Sequence, residues 1–110
     1  MRESILKEYR RGRLGRLEVC DAQPELMRIA KNLGRRTDTE CPICEQEPLV
    51  NVTFAFGPGL PSGGLPLGDL RELSKSVRRG SDVSCYVVEV CTGCCWNHLL
   101  RVFAAGDNDR

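Results

Sequence analysis

Two Cys-x-x-Cys pairs constrain this chain more than any other feature: Cys41-Pro42-Ile43-Cys44 and Cys91-Thr92-Gly93-Cys94. Two thiolates two residues apart reach one metal because the turn between them aims both sulfurs the same way, and two such turns complete a tetrahedral four-thiolate shell. Pro42 stiffens one turn and Gly93 relaxes the other. The expected ligands are therefore Cys41, Cys44, Cys91 and Cys94, holding one structural Zn²⁺. Between Cys44 and Cys91 lie 46 residues, against about 15–20 in the compact form of such sites. The gap must accommodate an insertion. A redox dithiol is the competing reading for one pair, but redox motifs open a helix in a βαβ unit, whereas Cys91 and Cys94 lie between two strand-like runs.

The chain has 110 residues, only 5 % of them aromatic, with 11 Gly and 6 Pro. It can bury one thin core, which a metal staple would complement. Seven cysteines are an odd number, which argues against a secreted disulfide framework. The opening Met1-Arg2-Glu3-Ser4 predicts no signal peptide, and no apolar run approaches the roughly 20 residues of a membrane span. The expected compartment is the cytoplasm, where thiols stay reduced.

Residues 1–36 read as a helical segment. Ser4 is expected to cap a helix over about 5–13, broken at Gly12 and Gly15. Asp21 is expected to cap a second one, with Pro24 in its first turn, Leu26, Ile29, Ala30 and Leu33 on one face and Gly34 at its end. Residues 35–40 read as a polar link. Residues 37–105 then form a three-stranded antiparallel zinc ribbon, with strands over 48–56, 83–90 and from Trp96 to about Phe103. Its insertion, 57–80, is a Gly/Pro loop followed by a helix capped by Asp69 that turns Leu70, Leu73 and Val77 inward. The tail 106–110 should fray. The fold class is thus α+β, one compact unit with an N-terminal helical pair.

Simple alternation along the last strand puts Trp96, His98, Leu100 and Val102 on one face and Asn97, Leu99, Arg101 and Phe103 on the other. Trp96 and His98 either satisfy packing and backbone beside the second turn or offer a contact surface next to the metal. Cys20, Cys85 and Cys95 are surplus to the ligand set. Packing is their default role, with Cys95 also open as a substitute ligand.

The segment Val-Glu-Val-Cys-Thr-Gly-Cys-Cys-Trp-Asn-His-Leu (88–99), the Cys-Pro-x-Cys at 41–44, Val19-Cys20-Asp21 and Val52-Thr53-Phe54-Ala55-Phe56-Gly57 together resemble a small actinobacterial family catalogued as a domain of unknown function. The resemblance spans most of residues 5–105. It implies a cytoplasmic zinc-ribbon protein and imports no activity. Cys95 departs from it, because glycine is the commoner residue at that turn.

The net charge is only +1, but residues 1–40 carry ten Lys/Arg against seven Asp/Glu, a net of +3. Arg10, Arg11, Arg13 and Arg16, with Arg35 and Arg36 further on, form a mildly basic arm able to meet phosphate or an acidic protein face. One histidine, no paired carboxylates and a Gly-rich loop without a Lys-Ser/Thr ending argue against an enzyme and against a small-molecule substrate. The expected function is a non-enzymatic zinc module that binds nucleic acid or the transcription or translation machinery, RNA polymerase or the ribosome, with Arg10, Arg11, Arg13, Arg16, Trp96 and His98 as candidate contacts. Two alternatives stand beside it. One is a protein-only scaffolding subunit docking through Leu60, Leu65 and Leu67. The other is a thiol or metal sensor using Cys20, Cys85 or Cys95.

Overall fold

The computed structural model describes residues 1–68 and 82–105. Helices α1 (Arg2–Arg10), α2 (Arg16–Val19) and α3 (Pro24–Leu33) precede strands β1 (Arg35–Glu40), β2 (Pro48–Phe56), β3 (Leu65–Leu67), β4 (Val83–Val90) and β5 (Asn97–Ala105). All strands pair antiparallel in one sheet of order β1-β2-β4-β5, with β3 also on β2. The first Cys-x-x-Cys turn lies between β1 and β2, and the second between β4 and β5. Because Val50 at the start of β2 faces Val90 at the end of β4, both turns fall at the same end of the sheet.

The α+β class is as expected, but the strand count differs. Residues 35–40 are β1, not a link. Its side chains are mostly exposed, so burial gives it no apolar pattern, and its place is set by backbone pairing with β2. The proposed boundary at residues 36–37 falls inside this strand. Leu65–Leu67 forms β3 within the span expected to be loop, and Leu60, Leu65 and Leu67 pack against Ala55, Val83 and Cys85. Leu67 is buried and Leu60 and Leu65 are half-buried, so the three are packed on the sheet and not fully exposed. The helix expected from Asp69 and the tail 106–110 lie outside the described residues.

The N-terminal region has three helices where a pair was expected. α1 starts earlier than expected, with Met1 at its N-cap and Ser4 inside it. Gln23 occupies the N-cap of α3 and Pro24 the first helical position, where a missing N–H costs nothing. Asp21 is left free for another partner. α3 lays Leu26, Met27, Ile29 and Ala30 over Val50, Val52, Phe54, Val88 and Val90 on one face of the sheet. Gly34 makes the join to β1 possible. A Cβ there would lie 2.3 Å from the Ala30 carbonyl oxygen and 2.8 Å from Val50 Cγ2. The opposite face carries two cores, one around Ala55 and Cys85 and one at the cysteine end around Leu6, Leu49 and Trp96.

β5 contains a bulge. Arg101 faces Val87 and Leu99 faces Val88, so Leu100 has no partner in the register. One extra residue flips the alternation that follows it. His98, Arg101 and Phe103 therefore share the face of Glu89, Val87 and Cys85, while Asn97, Leu99 and Val102 share the other. The simple alternation expected along this strand is corrected accordingly.

Candidate metal centre

The sulfurs of Cys41, Cys44, Cys91 and Cys94 lie within 4.8 Å of one another. Cys41 Sγ is 3.6 Å from Cys94 Sγ, and Cys44 Sγ is 3.7 Å from Cys91 Sγ. A tetrahedron with metal–sulfur bonds of about 2.3 Å has edges of about 3.8 Å. The cluster therefore has the size of a four-thiolate shell, and its four cysteines could hold a metal ion.

The two turns are built alike. Glu45 N–H donates to the Cys41 carbonyl at 3.0 Å, and Cys95 N–H donates to the Cys91 carbonyl at 3.0 Å. The residue after each second cysteine is left-handed, Glu45 at φ 57 and Cys95 at φ 75. This conformation returns the chain to the strand while leaving backbone N–H groups aimed at sulfur. Ile43 N–H donates to Cys41 Sγ at 3.3 Å, while Gly93 and Cys94 donate to Cys91 Sγ at 3.4 and 3.3 Å. Such bonds stabilise a thiolate over a thiol. Gly93 also lets the turns touch, since a Cβ there would lie 2.8 Å from Glu47 Cγ.

Burial opposes ionisation at two of the sulfurs. It pushes the Cys41 and Cys94 thiols up to about 12. Burial also raises Cys44, but the N–H groups of Gln46 and Glu47 and the neighbouring Cys91 and Cys41 outweigh it and bring that thiol to about 7. A cation in the cluster would supply the charge that the buried pair lacks, at the cost of displacing their protons.

Cys20 is the residue whose place the sequence did not indicate. Its thiol donates to Cys94 Sγ at 3.3 Å. The residues after it are tied to the same turn: Ala22 N–H donates to the Cys95 carbonyl at 3.0 Å, and Asp21 Oδ1 accepts from Asn97 Nδ2 at 2.9 Å. Residues 20–22 thus form a strap along the second turn. None of the seven cysteines is in a disulfide. Cys85 is buried in the distant core with Ala55 and Leu67, and Cys95 is not among the four clustered sulfurs.

Trp96 is 1 % exposed, packed with Leu6, Val19 and Leu49. This withdraws it from the candidate contact residues, because it has no surface to offer a partner. Its indole N–H donates to Glu89 Oε2 at 2.8 Å, and Arg2 Nε donates to the same oxygen at 2.7 Å. Glu89, 5 % exposed, was not singled out by the sequence. It occupies an inward position between valines, which in a strand of this composition marks a buried acid needing partners. His98 faces Glu89 across the strands and stacks on Trp96 with ring centroids 6.0 Å apart. Burial lowers its pKa, partly offset by Glu89 and reinforced by Arg2 and the terminal ammonium.

The basic arm is divided. Arg11 and Arg13 pair with Glu8 at 3.7 and 3.3 Å, whereas Arg10 and Arg16 are exposed and have no acidic partner among the described residues. On the sheet, a groove of about 100 Å³ lies over Asn51, Thr53 and Val87, with Arg35 at one side and Arg101 at the other. Neither arginine meets an acid among the described residues. Arg35 comes from β1 and Arg101 from β5, three strand spacings apart, about 14 Å. Both side chains line this one concavity, and the Arg101 guanidinium lies 5.8 Å from the Phe103 ring centroid. No described helix is long and apolar enough to cross a membrane.

The family model described as a family of unknown function, DUF5318, matches residues 1–110. Uncharacterised proteins from Mycobacterium bovis and from two strains of Mycobacterium tuberculosis are each 41 % identical to this chain over 105 residues, covering 96 % of it and 77 % of their own lengths. No solved structure matches the chain.

Proposed function

Starting from a chain that belongs to DUF5318, a family of unknown function, we propose that it is a zinc-stabilised, non-enzymatic module that binds nucleic acid within the transcription or translation machinery. The four-sulfur cluster carries the first half of this reading. Four soft thiolates in tetrahedral array select zinc or iron, and zinc stands above Fe²⁺ in affinity for such sites. With every position filled by protein, none is left for water, so the metal contributes folding energy and no Lewis-acid chemistry. Reduced thiols at this density belong in the cytoplasm.

Function then rests on surface chemistry. Arg35 and Arg101, flanking a groove with Asn51 and Thr53 between them, offer guanidinium forks and neutral donors of the kind that hold a phosphate. Arg10 and Arg16 add exposed charge on the N-terminal helices, and Arg11 and Arg13 join them because exposed pairs such as theirs with Glu8 are weak.

Fluorescence anisotropy with single-stranded RNA and duplex DNA tests the reading. Affinity should fall steeply between about 50 and 200 mM salt, and Arg35→Ala with Arg101→Ala should reduce the logarithmic salt slope by about 0.7–0.9 for each phosphate no longer held. Binding that is absent at low salt, or that keeps its slope in the double variant, would overturn it. In a pull-down, RNA polymerase or ribosomes retained only at low salt would agree, whereas one salt-resistant protein partner would favour the scaffolding alternative.

A further inference from the structure

Five sulfurs gather where a tetrahedral shell takes four. Cys20 Sγ lies 3.3 Å from Cys94 Sγ, outside the set of four that fit one metal. Cys20, Cys44 and Cys94 are half-buried, whereas Cys41 and Cys91 are buried. A small oxidant arriving from solvent therefore reaches these three before the inner sulfurs, and of the three Cys20 and Cys94 are the pair in sulfur contact. The hydrogen bonds of Asp21 with Asn97 and of Ala22 with Cys95 hold Cys20 in place, which raises its effective concentration toward Cys94. A disulfide requires the sulfurs to close to about 2.05 Å, a movement within reach of side-chain rotation.

We propose that Cys20 and Cys94 are an oxidation site for peroxides, with Cys94 attacked first and Cys20 resolving. Cys94, which a cation in the cluster would hold as a thiolate, attacks one peroxide oxygen. An S–O bond forms, the O–O bond breaks, and the leaving hydroxide takes a proton to become water. The Cys20 sulfur then attacks the Cys94 sulfenic sulfur. The S–S bond forms, the S–O bond breaks, and the departing hydroxide takes the Cys20 proton as a second water. The two sulfurs together lose two electrons and the peroxide gains two. The disulfide sulfur of Cys94 is no longer a thiolate, so the ligand set drops from four to three and its hold on metal weakens. A dithiol reverses the bond by exchange.

The test treats the full chain, as purified, with hydrogen peroxide. Non-reducing peptide mapping follows the disulfides and a chromogenic chelator follows released zinc. The expected result is a Cys20–Cys94 linkage as the first product, with zinc released in step and both reversed by dithiothreitol and added zinc. Cys20→Ser should retain zinc as purified and lose it at least tenfold more slowly, with Cys94 passing instead to sulfinic acid. A first disulfide between any other pair, or release from Cys20→Ser at the wild-type rate, would overturn the proposal. So would a Cys20→Ser protein purified without zinc, because Cys20 would then be a ligand. Mapping of the wild-type chain keeps the test open should the variant fail to fold. It also separates the proposal from the zinc assignment: a zinc-loaded chain whose first disulfide joins another pair fails the proposal alone, whereas a chain purified without zinc fails the zinc assignment.

Discussion

Glu89 holds two donors from distant parts of the chain, the Arg2 guanidinium and the Trp96 indole, on one oxygen. Removing Arg2 strands a buried carboxylate. Arg2→Ala should cost about 3 kcal/mol, the lower end for a broken buried pair because the indole still donates, measurable by urea denaturation. His98 adds a pH dependence. Its folded pKa lies below the ordinary 6.5, so the neutral ring favours the fold. That contribution is complete above 6.5 and is lost as pH falls from there through the lowered value. His98→Phe, which keeps a ring on Trp96, should flatten the stability-versus-pH curve below 6.5 relative to the wild type. Cys95 is the strained residue, at φ 75. Left-handed backbone costs a non-glycine residue about 1–2 kcal/mol, against about 0.5–1 kcal/mol of extra chain entropy for glycine. Cys95→Gly should therefore raise stability by up to about 1 kcal/mol in thermal unfolding. An unchanged or lower melting temperature would contradict the strain assignment. The cysteine spacing and the unusual Cys95 were legible in the sequence. The pairing of Glu89 with Arg2 and of Cys20 with Cys94 was not, because the partners lie 87 and 74 residues apart and no local pattern encodes such a pairing.

Among the elements, those with apolar periodicity were read correctly. β2 carries Val50, Val52, Phe54 and Phe56 at alternate positions, β4 carries Tyr86, Val88 and Val90 so, and α3 carries its apolar side chains on one face. The misreadings share a cause: tertiary pairing overrode weak local pattern. β1, Arg-Arg-Thr-Asp-Thr-Glu, is a strand only because β2 presents it an edge. The bulge at Leu100 is invisible to alternation because Leu99 and Leu100 are equally apolar. α2 is a single turn, whose glutamate caps it through Gly15 N–H at 2.7 Å. The closest element junction is Gly34 between α3 and β1. Gly34→Ala would drive a methyl into the Ala30 carbonyl and the Val50 side chain. It should destabilise the chain by about 1–3 kcal/mol, the usual cost of overpacking, with the loss seen as faster hydrogen exchange across α3 and β1 before β4 and β5.

For the whole molecule, the hairpins β1–β2 and β4–β5 each carry one turn of the metal centre to the same end of the sheet, and the strap from α2 closes over it. The apolar cores on the two faces of the sheet are small, so the cysteine end depends on what joins its two turns. Cys44→Ser should accordingly lose metal and unfold that end of the chain, since structural zinc is worth on the order of 10 kcal/mol in small domains. A Cys44→Ser protein that stays folded and metal-loaded would remove Cys44 from the ligand set. The account of the cysteine end depends first on the four-thiolate zinc centre, and zinc K-edge X-ray absorption on the purified chain examines that centre itself. The expected spectrum is that of one zinc per chain with four sulfur neighbours at about 2.3 Å and no nitrogen or oxygen in the shell. A shell containing nitrogen or oxygen, or a folded chain without zinc, would contradict it.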